Sequence, residues 1–423
     1  MSSRRIFLKG GALALFAAGL GGVPSFIAKA AQSRKLWAPY KRGKVLICIF
    51  QRGAMDGLMA VTPFNDPFLK AARPNLFMSA AQQGGRSLID LDGKFGLHPS
   101  MQAFAPLFKD KQLAIVHGVG SPNTTRSHFD AQDYMESGTP FRKGTPSGWL
   151  NRAAGLLGHD TATPFQAVSL TPSLSRSLYG DHAAVAINNL DDFAIQMRGG
   201  PLPSAAASKS FEELYDQTTS QLLNKTGKES FEALKMLKGA DVKSYKPSNG
   251  AEYPSSPLGR SLKQIAQLIK LDVGLEIAFA ESGGWDTHFN QGTDAGTFSR
   301  NGGDLAGSIA ALWNDLAGYQ DEVEIMTMTE FGRTVAQNGS NGTDHGRASC
   351  MFLIGNGLKG GLVHGTIPQL ARENLEDGRD LPVTTDFRAV FHEMATAHLN
   401  ITDTKGVLFP EWKGRAIGVR RLP

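Results

Sequence analysis

Apolar runs alternate with segments of helical periodicity along most of this sequence, and that alternation constrains the fold most strongly. The run Val45–Phe50 (VLICIF) is apolar at every position and is followed by Gln-Arg-Gly. A strand that is apolar on both sides has to be covered on both faces of its sheet. Leu305, Ile309 and Leu312 recur at helical spacing before the next strand-like run, Val323–Thr329. We therefore predict an α/β protein with three layers, α/β/α, around a mostly parallel central sheet.

The remaining elements follow from the same patterns. A small, polar stretch (PLPSAAASKS) begins at residue 201 and predicts a helical insertion at about 201–257. The sequence has no internal repeat. Residues 201–257 are interpreted as an insertion and not as a second domain, so residues 31–423 are predicted to form a single domain. Further strands are predicted at Leu113–His117, Ala167–Leu170, Ala183–Ile187, Val273–Ala280 and Met351–Ile354, and helices at Pro99–Lys109 and Asp386–His398.

The first 30 residues have the pattern of an export signal. Ser-Arg-Arg-Ile-Phe-Leu-Lys is followed by a moderately apolar stretch and then by Ala-Lys-Ala at residues 28–30. This pattern is typical of a twin-arginine signal peptide, so residues 1–30 are predicted to be cleaved after export. The alternative is an uncleaved membrane anchor, which Gly21, Gly22 and Pro24 disfavour as a continuous helix. The prediction is a periplasmic or secreted protein that engages the twin-arginine translocation machinery and has no stable membrane span after cleavage.

Charge and cysteine content exclude several classes of protein. The chain has 44 basic and 39 acidic residues. Four of the basic ones lie in the first 30 positions, which hold no acid, so 40 basic residues face 39 acidic ones in the rest. Without a basic stripe, a nucleic-acid partner is not expected. The two cysteines, Cys48 and Cys350, lie in apolar runs and are predicted to be buried, which excludes a disulfide scaffold or a cysteine-based zinc cluster.

Acidic and imidazole side chains recur directly after the predicted strands. Ligands of parallel sheets bind outside the carboxyl ends of the strands, so these side chains are expected at one edge. Carboxylate oxygens and neutral imidazole nitrogens are suitable ligands for a divalent ion such as Zn, Mn, Mg or Ca. Asp56, Asp286, His288, Asp344 and His345 are among the side chains in these positions.

The loop after the second strand carries the predicted catalytic residues. Ser127 and Thr125 both precede a predicted helix, where the helix N-terminus and a nearby cation would favour an attacking hydroxyl. Arg126 or Arg52 could hold non-bridging oxygens of a phosphate or sulfate group. His128 is a further candidate.

Each candidate also has a purely structural interpretation. Asp56 could initiate a turn, and Asp286 and His288 could form an Asx-turn beside a surface histidine. Asp344 and His345 could belong to a turn in a glycine-rich segment. The remaining alternatives are Ser127 as a helix N-cap, a buried pair of His128 with Asp130, and an ion pair of Glu330 with Arg333.

Long sequence segments resemble a known family. These segments are RSHFDAQDYMESG, GGWDTH, TMTEFGRT, GTDHGRAS and LPVTTDFRAVF, and they are similar to those of DUF1501, a family of bacterial proteins exported by the twin-arginine route. The resemblance covers about residues 1–420. The order of an acid after the first strand, a hydroxyl loop, an Asp/His pair and Thr-Asp-His-Gly also resembles the alkaline phosphatase/sulfatase superfamily. It implies an alkaline-phosphatase-like, α/β hydrolase-like domain.

The superfamily resemblance implies a role for individual residues. Asp56 takes the place of the first-strand metal ligand, and Ser127 or Thr125 falls in the nucleophile region. Asp286 with His288, and Asp344 with His345, match two further ligand pairs, and His364 falls where a final histidine ligand is placed. Two features depart from the pattern. The middle pair reads D-x-H instead of D-x-x-x-H, and the sulfatase sequence C-x-P-x-R is absent.

Three functional hypotheses follow. The first is an exported, metal-dependent hydrolase that acts on a small-molecule phosphate or sulfate ester. The alternative is a non-catalytic exported binding or assembly protein that retains the fold. An oxidoreductase with an organic cofactor lacks support, since neither G-x-G-x-x-G after the first strand nor an iron–sulfur cysteine spacing occurs.

Overall fold

The computed structural model describes residues 43–80, 87–158, 163–190 and 245–421. The predicted signal peptide at residues 1–30 lies outside this part of the chain. The strands are β1 (Val45–Gln51), β2 (Val61–Pro63), β3 (Ile89–Asp90), β4 (Phe95–Leu97), β5 (Leu113–Gly120), β6 (Ala167–Ser169), β7 (Val185–Ala186), β8 (Ile277–Ser282), β9 (Val323–Met328), β10 (Ser349–Ile354), β11 (Leu362–His364) and β12 (Thr385–Asp386). The α-helices are α1 (Gly57–Ala60), α2 (Pro67–Ala72), α3 (Phe104–Lys109), α4 (His128–Ser137), α5 (Trp149–Leu156), α6 (Pro257–Lys270), α7 (Thr297–Asp315) and α8 (Phe387–Glu393).

A nine-stranded sheet runs through the centre of the protein. Its main path has the order β11-β5-β10-β9-β1-β8-β6-β7, and β12 pairs with β5. Directly paired strands are parallel except at β10, which runs antiparallel to both β5 and β9. The predicted mostly parallel sheet is confirmed. The strands β2, β4 and β3 form a separate, small antiparallel sheet.

Strand β1 shows why the sheet has to be covered twice. Ile47 and Ile49 pack into one apolar core with helices α6 and α7, whereas Leu46, Cys48 and Phe50 pack into a second core with α5 and α8. Successive side chains of a strand point to opposite faces, so a run without polar residues needs a helical layer on each side. The three-layer α/β/α architecture is therefore confirmed.

Helix α6 illustrates how the sequence sets an element's bounds. The Ser256 hydroxyl accepts a hydrogen bond from the Gly259 amide at 2.9 Å, and Pro257 occupies the first helical position. Leu258, Leu262 and Ile265 then form a buried stripe at helical spacing. The helix packs on α7, so together they cover one face of the sheet.

Three sequence predictions can be compared with these elements. Residues 245–256, the described part of the predicted helical insertion, contain no helix, and α6 begins only at Pro257. Cys48 and Cys350 are buried and unpaired, as predicted, and burial raises the pKa of both thiols. Among the described residues, no helix combines the length and apolarity needed to cross a membrane.

Candidate metal centre

Loops from four parallel strands and the segment that leads into β10 meet at the carboxyl edge of the sheet. The Gly53 amide after β1 donates to Glu330 Oε1 after β9 at 2.8 Å. Arg333 and His345 form a backbone bridge that ties the β9 loop to the segment before β10. This edge is where ligands of open α/β sheets bind, and the antiparallel direction of β10 brings His345 to it.

Three histidines converge here through their Nε2 atoms. His345 Nε2 lies 2.9 Å from His128 Nε2 and 2.8 Å from His288 Nε2. The loop after β5 supplies His128 at the start of α4, and the loop after β8 supplies His288. Each ring is 23–43% exposed, so the cluster opens to solvent.

The opposite nitrogen of each ring is held by an acceptor. His128 Nδ1 donates to Glu330 Oε1 at 2.8 Å, and His288 Nδ1 donates to Asp344 Oδ1 at 2.8 Å. His345 Nδ1 donates to the Arg126 carbonyl at 2.8 Å. A carboxylate or carbonyl oxygen accepts only from a protonated nitrogen, so each neutral ring presents an Nε2 lone pair to the centre. Three converging lone pairs repel one another and match a cation.

Asp286 adds an anionic oxygen to the cluster. Its Oδ1 lies 3.1 Å from His288 Nε2 and 3.4 Å from His345 Nε2, and its Oδ2 lies 3.6 Å from His128 Nε2. The buried Arg333 guanidinium donates to Oδ1 at 2.6 Å. Burial opposes ionisation of this carboxyl, but the hydrogen bond and charge of Arg333 hold the pKa of Asp286 below its ordinary value. Asp286 is therefore a carboxylate.

The protonation of the neighbouring groups follows from their contacts. The hydrogen bond to Glu330 raises the pKa of His128. Burial raises the pKa of Glu330, but bonds from His128, Gln132 and the Gly53 amide outweigh this and lower it. Desolvation, aided by the charge of Arg333, lowers the pKa of His345. His345 is thus kept neutral, which is the state that binds a metal.

The donor set fits a single divalent ion. Ligand atoms of His128, Asp286 and His345 lie within 4.8 Å of one another. Zinc–nitrogen bonds of about 2.0–2.1 Å imply ligand–ligand distances of roughly 3.4 Å in a tetrahedron. The distance from His128 Nε2 to His345 Nε2 is 2.9 Å. The carboxylate of Asp286 lies 3.4 Å from His345 Nε2 through Oδ1 and 3.6 Å from His128 Nε2 through Oδ2. His288 Nε2 borders the same point, 2.8 Å from His345 Nε2 and 3.1 Å from Asp286 Oδ1.

Buried groups fix the position of these ligands. The Phe331 ring packs against two imidazoles, with its centroid 4.9 Å from that of His128 and 5.0 Å from that of His345. Arg333 donates to the carbonyls of Gly53, Ala54 and Trp285 as well as to Asp286. Gly53 has φ +111°, and a Cβ there would come within 2.5 Å of the Asp286 amide. The β1 and β8 loops therefore approach each other at a position that only glycine permits.

Asp344, predicted as a metal ligand, lies behind His288 instead of at the centre. Its Oδ1 accepts hydrogen bonds from His288 Nδ1 at 2.8 Å and from the side-chain amide of Asn338 at 3.0 Å. Hydrogen bonds from Asn338 and His288 lower the pKa of Asp344. Asp344 therefore orients the His288 ring. Metal-binding histidines are commonly oriented by a carboxylate in this way.

Asp56, also predicted as a metal ligand, is not part of the cluster. It is 1% exposed and forms a paired contact with the Arg73 guanidinium at 2.8 and 3.1 Å. Its remaining contacts are the Gln291 amide at 2.8 Å and the Met59 amide, which it caps at the start of α1. All of its acceptor positions are directed at protein donors, so the structure gives Asp56 a structural role.

The two arginines that could hold oxygens of a phosphate or sulfate group, Arg52 and Arg126, form ion pairs with carboxylates instead. Arg126 pairs with Asp380 at 2.6 Å and Asp377 at 2.8 Å, while Arg52 pairs with Glu281 at 2.6 Å and Glu136 at 2.7 Å. Arg126 contributes to the centre through its backbone carbonyl, which accepts a hydrogen bond from His345 Nδ1. Neither guanidinium is directed at the centre in this arrangement.

The two candidate hydroxyls flank the start of α4. Ser127 is the residue before the helix, and its side chain makes no capping hydrogen bond. Thr125 Oγ1 accepts from the Ser127 amide at 3.2 Å. His364, the suggested final ligand, lies on the edge strand β11, where its Nε2 contacts the Lys359 carbonyl at 2.9 Å. His364 is thus not brought to the cluster.

Sequence reasoning missed several supporting residues. The structural alternative for Glu330 was an ion pair with Arg333, but Glu330 binds His128 and Arg333 binds Asp286. The segment TMTEFGRT contains all of the β9-loop supports, and its position after a predicted strand was the available signal. Phe331 gave no signal, because an apolar residue after a strand is usually a core residue.

The fold and this cluster define a three-layer α/β/α protein with a His/Asp cluster that can hold a metal ion at the carboxyl edge of its sheet. The chain belongs to the DUF1501 family, described as "Protein of unknown function (DUF1501)", whose sequence profile matches residues 43–410. The predicted family membership is therefore confirmed. No curated protein matches the chain.

Solved structures with a similar architecture share little sequence with the chain. The C-terminal periplasmic domain of EcEptC from Escherichia coli, in complex with Zn, has 10% identity and a TM-score of 0.40, covering 88% of each chain. Alkaline phosphatase from the Antarctic bacterium TAB5 has 12% identity and a TM-score of 0.33, covering 75% of this chain and 93% of that chain. The PsFucS1 sulfatase from Pseudoalteromonas sp. has 12% identity and a TM-score of 0.36, covering 94% and 78%.

Proposed function

We propose that this protein is an exported, metal-dependent hydrolase of phosphate or sulfate esters. One observation carries the proposal. His128, His288 and His345 each have Nδ1 bound to an acceptor, so their Nε2 lone pairs converge beside the Asp286 carboxylate. Such a group of donors is suited to Zn, Mn or a similar divalent ion.

The protein's own groups prepare this site for a cation. Arg333 keeps Asp286 ionised, and Glu330 and Asp344 fix the ring orientation of His128 and His288. A bound divalent ion supplies charge stabilisation to the oxygens of an ester and lowers the pKa of a bound water or hydroxyl.

The start of α4 offers a complementary binding point for the ester's anionic oxygens. The ten-residue helix begins at His128, and Ser127 leaves its first-turn amides without a side-chain cap. Free amides and the helix dipole favour an anion there. Ser127 is the hydroxyl we propose as the attacking group, and Thr125 is the second candidate.

Export is part of the proposal. The twin-arginine pattern of residues 1–30 supports a periplasmic or secreted location and delivery by the twin-arginine machinery. Fusion of these residues to a reporter protein, with and without Arg4→Lys plus Arg5→Lys, tests it. We expect the exported fraction to fall with the double substitution.

The enzymatic proposal is tested by metal content and ester hydrolysis together. Protein purified without chelator is expected to hold roughly one to two equivalents of a divalent metal, because its donors match such ions. It is also expected to hydrolyse aryl phosphates or sulfates. His345→Ala and Asp286→Asn should lose both properties, whereas the control His364→Ala should keep them. Full metal content in the first two variants would contradict the assignment.

A second candidate function is a non-catalytic binding or assembly protein. It is favoured by the engagement of Arg52, Arg126 and Arg333 with carboxylates, which leaves none of these three for a substrate oxyanion. Metal binding without hydrolysis of any aryl ester would support this function instead.

A further inference from the structure

Two phenylalanines that directly follow histidines of the metal centre in the sequence are largely solvent-exposed. Phe129 is 89% exposed and Phe289 is 70% exposed, which makes them the most exposed large apolar side chains among the described residues. Each follows a histidine of the cluster directly, His128 in one case and His288 in the other. Such exposure next to a polar centre indicates a contact surface.

Neither side chain is exposed because its backbone is loose. Phe129 lies in the first turn of α4, directly after a residue whose ring is fixed by Glu330. Phe289 is anchored on both sides, since the Asn338 side chain donates to the His288 carbonyl and the Asn290 amide donates to the Ser340 carbonyl, both at 2.9 Å. Fixed backbone presents both rings to solvent beside the cluster.

We propose that Phe129 and Phe289 form an apolar rim that binds the non-reacting part of the substrate. This proposal rests on the proposed hydrolase function. It identifies the substrates as phosphate or sulfate esters of an aryl or long alkyl alcohol, whose anionic group binds at the metal centre. Large aromatic side chains contribute contact area at low entropy cost and bind apolar groups well. The rim then adds specificity without taking part in the reaction.

Charge around the rim favours a substrate over a membrane surface. Asp286 and Asp344, which both contact His288 next to Phe289, are about half exposed, at 48% and 51%. Asp130 adjoins Phe129. Carboxylates at the same face would be repelled by anionic lipids, whereas a divalent ion at the centre would attract an anionic ester.

The test compares esters that differ only in the apolar group. Rates are measured for methyl, hexyl, phenyl and naphthyl phosphates and sulfates with the full chain and with Phe129→Ala, Phe289→Ala and the double variant. We expect each substitution to lower kcat/KM for the naphthyl ester about tenfold, equivalent to about 1.4 kcal/mol, and to leave the methyl ester unchanged. The control is Phe141→Ala, which is 68% exposed and lies beyond the far end of α4.

A binding measurement separates failure of the rim from failure of the hydrolase. Metal-loaded protein is titrated calorimetrically with methylphosphonate and naphthylphosphonate, neither of which needs to react. Tighter binding of naphthylphosphonate, lost in the double variant, supports the rim even if no ester is hydrolysed. Equal affinities overturn the rim alone, whereas no binding of either compound overturns the anion-binding centre together with the rim. Vesicle binding or self-association that depends on both phenylalanines, with equal phosphonate affinities, would assign the surface to a membrane or a second copy.

Discussion

His128 Nδ1 and Glu330 Oε1 lie 2.8 Å apart, although the two residues are 202 positions apart in the sequence. The Glu330 side chain is fully buried and also accepts from the Gln132 amide at 2.9 Å and the Gly53 amide at 2.8 Å. One carboxylate therefore connects the β1 loop, helix α4 and the β9 loop. It fixes the His128 ring so that Nε2 faces His345 and Asp286.

Glu330→Gln is expected to weaken metal binding by about 10- to 100-fold, as is typical when such a supporting carboxylate is lost. The amide keeps the size of the side chain but no longer fixes the proton on His128 Nδ1. Competition with a fluorescent chelator measures the affinity. Glu281→Gln, which alters a carboxylate paired with Arg52, is the matched control and should bind metal normally. Equal affinities for the two variants would refute the orienting role of Glu330.

Asp56→Ala is expected to destabilise the protein by about 3–5 kcal/mol, because it leaves the buried Arg73 charge without its partner. Metal content of the folded variant should stay normal, since Asp56 lies outside the cluster. Urea unfolding and elemental analysis measure the two quantities. Loss of metal with unchanged stability would restore the role predicted for Asp56 from the sequence.

The sequence predicted the architecture better than the direction of one strand. Apolar runs such as Val45–Phe50 identify a strand covered on both faces, and β1 ends only one residue later. Strand β10 was also predicted, but its antiparallel direction was not. A fully apolar run indicates a buried strand without indicating its direction in the sheet. That direction matters, because it brings His345 to the carboxyl edge.

The candidate site was predicted only in part, for a similar reason. Residue type and position after a strand pointed to Asp286, His288 and His345, which the structure brings together. Asp56 has the same features, but its partner Arg73 depends on how two loops pack. His128 was predicted to be a catalytic residue and not a metal ligand. The sequence does not show that Glu330, which is 202 positions away, orients its ring.

The contribution of Glu324, a buried residue at the opposite edge of the sheet, to stability should fall with rising pH. Burial, only partly offset by its ion pair with Arg420, raises the pKa of Glu324 to about 7 from 4.5. His398, whose pKa burial lowers to about 3, stays neutral 3.5 Å away and does not compensate its charge. Between pH 4.5 and 7 the unfolded chain releases a proton that the folded protein retains, so rising pH favours unfolding in this window.

Glu324→Gln is expected to remove this dependence. Relative to the natural protein, the variant should gain up to about 1.4 kcal/mol of unfolding free energy per pH unit across the window, and no more above pH 7. Urea unfolding at pH 5, 6, 7 and 8 measures the difference. The exposed Glu373→Gln serves as control. Parallel pH profiles for Glu324→Gln and the natural protein would contradict the raised pKa.

Metal should stabilise the folded chain through the histidine cluster. A ligand that binds only the folded state adds about 2.7 kcal/mol at a hundredfold excess over its Kd. Chelator-treated protein should therefore unfold at lower urea concentration than protein supplied with Zn or Mn, and the difference should vanish in His128→Ala. The exposed His182→Ala should retain the full effect. If His128→Ala responds to metal as the natural protein does, the ion binds elsewhere, and the three converging Nε2 atoms are not its ligands.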